Sequence, residues 1–118
     1  MMDRSCPGVV EPILELLDGK WMLLVLFELL NGTKRFGELR RKLQPISPKT
    51  LTDRLRLLEE KGLVTRTLYP GVPLHVEYEF TESGKALQPI FEAMWNWTQE
   101  HGAYLRSGTI EKDQEAAL

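Results

Sequence analysis

The spacing of apolar positions changes several times along the chain, and each change marks an element. The run from Pro12 to Leu17 reads as a short helix, with Pro12 tolerated in its first turn and Asp18-Gly19 ending it. Lys20 to Leu30 is apolar nearly all round, the pattern of a central helix, and Asn31-Gly32 stops it. Thr33 to Phe36 reads as an extended connector, and Gly37 to Leu43 as two helical turns with Leu39 and Leu43 on one face. Gln44-Pro45-Ile46 breaks this helix and Ser47-Pro48 starts another: serine accepts a backbone N–H as N-cap, and proline at N1 gives up a donor that has no partner there. That helix runs to about Lys61 and ends at Gly62. The stretches Leu63–Tyr69 and His75–Thr81 alternate with period two, which predicts an antiparallel hairpin around Pro70-Gly71-Val72-Pro73. Thr81 or Ser83 then caps a final helix through about His101, with Leu87, Ile90, Phe91, Met94 and Trp97 at helical spacing and a kink expected at Pro89.

This order predicts an α+β, mainly helical fold: a winged helix-turn-helix over residues 1–106 with its recognition core at about 34–81, flanked by an N-terminal helix and a long C-terminal one. Residues 107–118 are polar and are expected to form a flexible tail. The helix from Pro48 can be examined by angle. Leu55 and Leu58 lie within about 40° of Leu51 around the helix axis, so the three anchor one face. Lys49, Asp53, Arg56 and Glu60 then cluster on the opposite face, flanked by Thr50 and Thr52.

Composition is that of an ordinary folded domain, 42% apolar and 27% charged, and no apolar run approaches membrane-spanning length. The N-terminus carries no apolar signal core, so a cytoplasmic location is expected, and a single cysteine, Cys6, excludes an intrachain disulfide. A net charge of −2 argues against a polyanion partner until it is divided by segment. Residues 34–66 carry ten basic and four acidic side chains, a net of +6, which leaves −8 on the remainder. That asymmetry suits a phosphate-facing surface on an acidic body.

The residues that would carry this chemistry are Arg35, Arg40, Arg41, Ser47, Lys49, Thr50, Thr52, Asp53, Arg56 and His75. Lysine and arginine reach guanine acceptors or phosphates, threonine offers a hydroxyl and a methyl, and aspartate accepts from cytosine N4. Double-stranded DNA is the partner these types suit. The wing tip, Tyr69 to His75, is poor in positive charge. A winged helix used only as a protein-interaction module is the alternative. Two histidines, no Cys/His cluster, no glycine-rich phosphate loop and no catalytic triad spacing speak against an enzyme, a metal site or a cofactor.

Several ordered pieces of the chain resemble the HxlR-type regulators, relatives of the MarR group. They are Cys6-Pro7, Gly19-Lys20-Trp21, Arg35 to Arg40, Ile46 to Thr52, Leu57 to Val64, Val76-Glu77-Tyr78 and Thr81 to Gly84, which together span about residues 6–100. The resemblance implies a homodimer built from the N- and C-terminal helices, two recognition helices on a pseudo-palindrome, and control of a nearby gene or of its own. The sequence adds its own reason for a dimer: Leu87, Phe91, Met94, Trp95 and Trp97 supply more apolar surface than one small core covers. The resemblance also makes Cys6 a candidate redox sensor, with an oxidant or a small molecule as effector.

Overall fold

The computed structural model describes residues 7–117, with side chains over 11–103. Elements follow in the order α1 (Pro7–Leu16), α2 (Lys20–Leu29), β1 (Lys34–Arg35), α3 (Phe36–Lys42), α4 (Pro48–Glu60), β2 (Val64–Tyr69), β3 (His75–Phe80), α5 (Glu82–Lys85) and α6 (Gln88–Ala117). The chain divides between Lys85 and Ala86 into two compact units. No helix among the described residues is long and apolar enough to cross a membrane.

In the first unit the largely apolar α2 is central, as its pattern predicts. Its Met22, Val25, Leu26 and Leu29 are buried, and so are Leu39 on α3 and Leu51, Leu55 and Leu58 on α4. Complete burial of a leucine side chain is worth about 1.5–3 kcal/mol, so the α2–α4 seam is a principal source of stability. Leu43 and Ile46 close the turn between α3 and α4 and are buried as well.

The sheet has the order β1-β3-β2, antiparallel throughout. The hairpin is as expected, but the supposed connector is a strand: Lys34 pairs with Tyr78 and Arg35 with Glu77. Two residues are too few to show a period, so only the pairing identifies β1. The Thr33 hydroxyl reinforces it by donating to Glu79 Oε2 at 3.0 Å. On β2 the alternation buries Val64 alone, because the strand runs past the edge of the core.

The turn out of α4 is a Schellman motif. Gly62, at φ +74°, donates to the Glu59 carbonyl, and Leu63 donates to that of Leu58, both at 3.0 Å. Thr81 locks the far end of the hairpin to this turn. Its N–H donates to the Leu63 carbonyl at 3.0 Å, its hydroxyl donates to the Gly62 carbonyl at 2.6 Å, and the same oxygen accepts from Gly84 N–H at 3.2 Å as the N-cap of α5.

Three expectations about helix extent change. α1 begins at Pro7 and holds Pro12 inside it. Pro7 opens that helix where an N–H has no intrahelical partner, and Pro12 then removes one ladder bond early in it. The final helix is two: α5 ends at Lys85, and α6 starts at Gln88 with Pro89 in its first turn. Proline there needs no donor, so Pro89 opens a helix where a kink was expected. α6 also continues past His101 through residues 107–117, the segment expected to be a flexible tail. Ala, Glu, Lys and Gln in that stretch prolong an established helix without an apolar stripe.

In the second unit Phe91 is buried, Leu87 and Met94 are half-buried, and Trp95 and Trp97 are exposed.

Within the first unit, Gly84 gives a direct test of how α5 packs on the root of the hairpin. A Cβ there would sit 2.2 Å from the Leu63 carbonyl and 2.6 Å from Phe80 Cδ1, whereas one at Gly37 would meet nothing nearer than 3.8 Å. Gly84→Ala is expected to lower the unfolding free energy by about 1–3 kcal/mol by overpacking, and Gly37→Ala to leave it intact, both read from urea denaturation.

Candidate nucleic-acid interface

α3 and α4 each present a polar face for local reasons. The Arg35 N–H donates to Glu38 Oε1 at 2.9 Å at the start of α3, and Arg40, Arg41 and Lys42 occupy its last turn, where the helix dipole favours cations. At the start of α4 the Thr50 N–H donates to Ser47 Oγ at 3.0 Å, and the Ser47 hydroxyl donates to Thr50 Oγ1 at 2.9 Å. With Leu51, Leu55 and Leu58 turned inward, Lys49, Asp53 and Arg56 are exposed and Thr50 and Thr52 half-exposed.

The structure distributes the ten sequence-selected residues unevenly. Arg40, Arg41 and Arg56 are exposed. Lys49 Nζ lies 3.2 Å from Asp53 Oδ2, so these two are paired with each other one turn apart. The Ser47 and Thr50 hydroxyls are engaged in the cap. Arg35 and His75 meet away from α4, at the sheet. Glu77 Oε2 is 3.1 Å from His75 Nε2 and 4.0 Å from Arg35 Nε, and the His75 ring stacks on Tyr69 at 5.0 Å between centroids. Cys6 lies outside the described residues.

Sequence reasoning missed Glu77 and Glu79, which alternation marked only as outward-facing. They staple β1 to the hairpin through Arg35 and Thr33, and only the strand pairing could have signalled this. It also passed over Arg54 and Lys61, on the flank of α4 between its buried and exposed faces. Lys61 Nζ pairs with Glu15 Oε2 of α1, while Arg54 Nε is buried without a partner among the described residues.

Two clefts open where helices meet the sheet. One of about 360 Å³ is lined by Arg35, Phe36, Arg41, Leu74, His75 and Val76 among others. The other, of about 490 Å³, places Thr52, Arg56 and Glu59 of α4 opposite Arg66, Val76 and Tyr78 of the hairpin. Cations thus extend in sequence and in space from α3 across α4 to the base of the wing.

Residues 16–105 match the family model described as HxlR-like helix-turn-helix. The chain belongs to that family. This HxlR-like chain is 46% identical over 89 residues to the uncharacterized HTH-type transcriptional regulator sll1512 of Synechocystis sp., an alignment covering 75% of the chain and 64% of the relative's length. Among solved structures it is similar to the redox regulator HypR in its reduced form, with TM-score 0.76 and 40% identity over 83% of this chain and 97% of that one. It is also similar to the transcriptional regulator YodB of B. subtilis in its reduced form, with TM-score 0.69 and 38% identity over 85% and 94%. The fold is therefore a MarR-like winged helix, and the protein is a transcriptional regulator of the HxlR type whose relatives are regulators rather than enzymes.

The two acidic partners at the interface differ in environment and should differ in cost. Glu77→Gln weakens the contact of a partly buried carboxylate with the partly buried His75, and a longer one with the exposed Arg35, and is expected to cost about 1 kcal/mol of unfolding free energy. Asp53→Asn, which breaks an exposed pair one helical turn long, should stay within about 0.5 kcal/mol by the same denaturation assay.

Proposed function

We propose that the protein is a homodimeric, sequence-specific DNA-binding regulator that lays the N-terminal half of α4 in the major groove of a pseudo-palindromic operator. The observation that carries this reading is the outward face of α4. Lys49, Thr52, Asp53 and Arg56 are displayed by a helix whose other face is immobilised in the core, and Arg40 and Arg41 of the preceding α3 are exposed as well. Arg56 and Lys49 are the base or phosphate contacts, Thr52 an apolar and hydroxyl contact, and Asp53 an acceptor once its pairing with Lys49 is exchanged for DNA. Arg40 and Arg41 hold phosphates, and Ser47 and Thr50 act by fixing where the helix begins. A regulator of this kind works in the cytoplasm, where the DNA is.

Dimerisation is supported by side chains a lone chain leaves in water. Leu14 and Leu17 are exposed on and just after α1, and Ile90, Trp95 and Trp97 on α6. Aromatic side chains of this size are what interfaces between chains bury. A thiol response is supported by the solved relatives, named as a redox regulator and as a regulator in reduced and diamide-treated forms. With one cysteine per chain, a disulfide at Cys6 joins it to a second copy or to a small thiol.

The reading is tested by enriching a duplex from a random library with the wild-type protein and measuring its gel shift. Lys49→Ala and Arg56→Ala are each expected to weaken binding about tenfold with an unchanged melting temperature. An unaltered shift removes them from the interface. A module serving only protein contacts would enrich no duplex. For the sensor, Cys6→Ser is expected to bind the duplex normally and to lose release by diamide; an undiminished diamide response rules Cys6 out.

A further inference from the structure

α1 is held to its unit at few points. Among the described residues Leu16 is its only buried side chain, and Leu14, about 160° away around the helix axis, is exposed on the opposite side. Glu15 lies on the flank between them, and its Oε2 accepts from Nζ of Lys61, the C-cap residue of α4. This is the one ion pair that α1 makes among the described residues. Arg54, about two turns earlier on the same flank of α4, adds no second pair, since its Nε is buried without a partner among the described residues.

A single apolar anchor sets how closely two helices approach and leaves one of them free to roll and tilt about it. A second point of attachment off the axis removes that freedom, and the bond from Glu15 to Lys61 is such a point. Its place at the end of α4 gives it leverage. Lys49, at the other end of the proposed reading face, lies about 18 Å from Lys61 along the helix. A tilt of about 10° between α1 and α4 therefore moves the N-terminal half of α4 by about 3 Å, close to the rise of one base pair, about 3.4 Å. In the homodimer proposed above the exposed side of α1 faces the partner, so the path from one α4 to the other crosses this joint twice, once in each protomer.

We infer that Glu15 and Lys61 are positioning residues that set the separation of the two α4 helices, and thereby the spacing between half-sites that the dimer accepts. The inference rests on the homodimeric DNA-binding reading. It assigns the choice of half-site sequence to the outward face of α4 and the choice of spacing to the joint between α1 and α4. The pair is partly exposed at both ends, and such a pair contributes little to folding, so its removal leaves the fold in place.

The test uses the full chain and the half-site found by enrichment with the wild type. Two copies are placed in duplexes at the enriched spacing and at one or two base pairs more or fewer, and affinities are read by gel shift. The wild type is expected to lose about tenfold for one base pair of change, which also rotates one half-site against the other by about 35°. Glu15→Gln and Lys61→Met are each expected to narrow that loss to about threefold, a change within what a partly exposed ion pair supplies. Both should bind a duplex with one half-site as tightly as the wild type does. The exchanged pair, Glu15→Lys with Lys61→Glu, should restore the wild-type preference for spacing.

Unchanged melting curves verify the fold of each variant. A spacing preference that stays as sharp in both single variants overturns the inference. So does a loss of affinity equal at every spacing, which makes Lys61 a phosphate contact, or an effect confined to Lys61→Met. Dissociation of the Glu15→Gln dimer by light scattering overturns it as well, by making Glu15 part of the interface between chains. A wild type that enriches only single half-sites, or no duplex, refutes the homodimeric DNA-binding reading first and this inference with it.

Discussion

The fold depends on three leucines of α4. Leu51, Leu55 and Leu58 are essentially inaccessible, and their burial beside α2 fixes the rotation of the helix about its own axis. That rotation decides which side chains face outward. A turn of about 100°, one residue's worth, would bring Thr52 and Glu59 toward the core and carry Lys49 toward the flank. The proposed reading face is thus the geometric complement of a hydrophobic stripe, held by the free energy of the seam rather than by any contact of its own.

The helix is also fixed at both ends. The Ser47–Thr50 cap sets where it begins, and the Schellman turn at Gly62 sets where it ends and redirects the chain into β2. Thr81 and Gly84 then bring the return strand back onto that turn, closely enough to exclude a Cβ at position 84. The hairpin is therefore referenced to the C-terminal end of α4 at its root, while its tip reaches beyond the core. A rigid root and a projecting tip suit an element that meets a partner at a distance from the helix.

Charge follows the same logic. Basic residues are concentrated on α3, α4 and the base of the sheet, but the acidic residues among them are not random. Glu38 completes the start of α3, Glu77 sits between Arg35 and His75, and Asp53 pairs with Lys49. Each restrains a cation of the proposed interface or the backbone that carries it. This arrangement lets a nearly neutral chain present a basic surface.

Sequence alone determined the elements whose periods are long enough to read: the largely apolar α2, the capped α4 with its leucine stripe, the hairpin, and the segregation of charge to residues 34–66. It determined the proposed reading face as well, since angle along one helix is local information. Tertiary structure decided what pairing and distance decide. A two-residue strand has no period, so β1 and the roles of Glu77 and Glu79 emerged only when Lys34 and Arg35 were found beside β3. Pro89 opens a helix rather than bending one, because the chain pauses at Ala86-Leu87 before α6 begins. Whether Trp95 and Trp97 fill a core or stand in solvent was equally beyond pattern, since apolar spacing marks a face without saying what covers it.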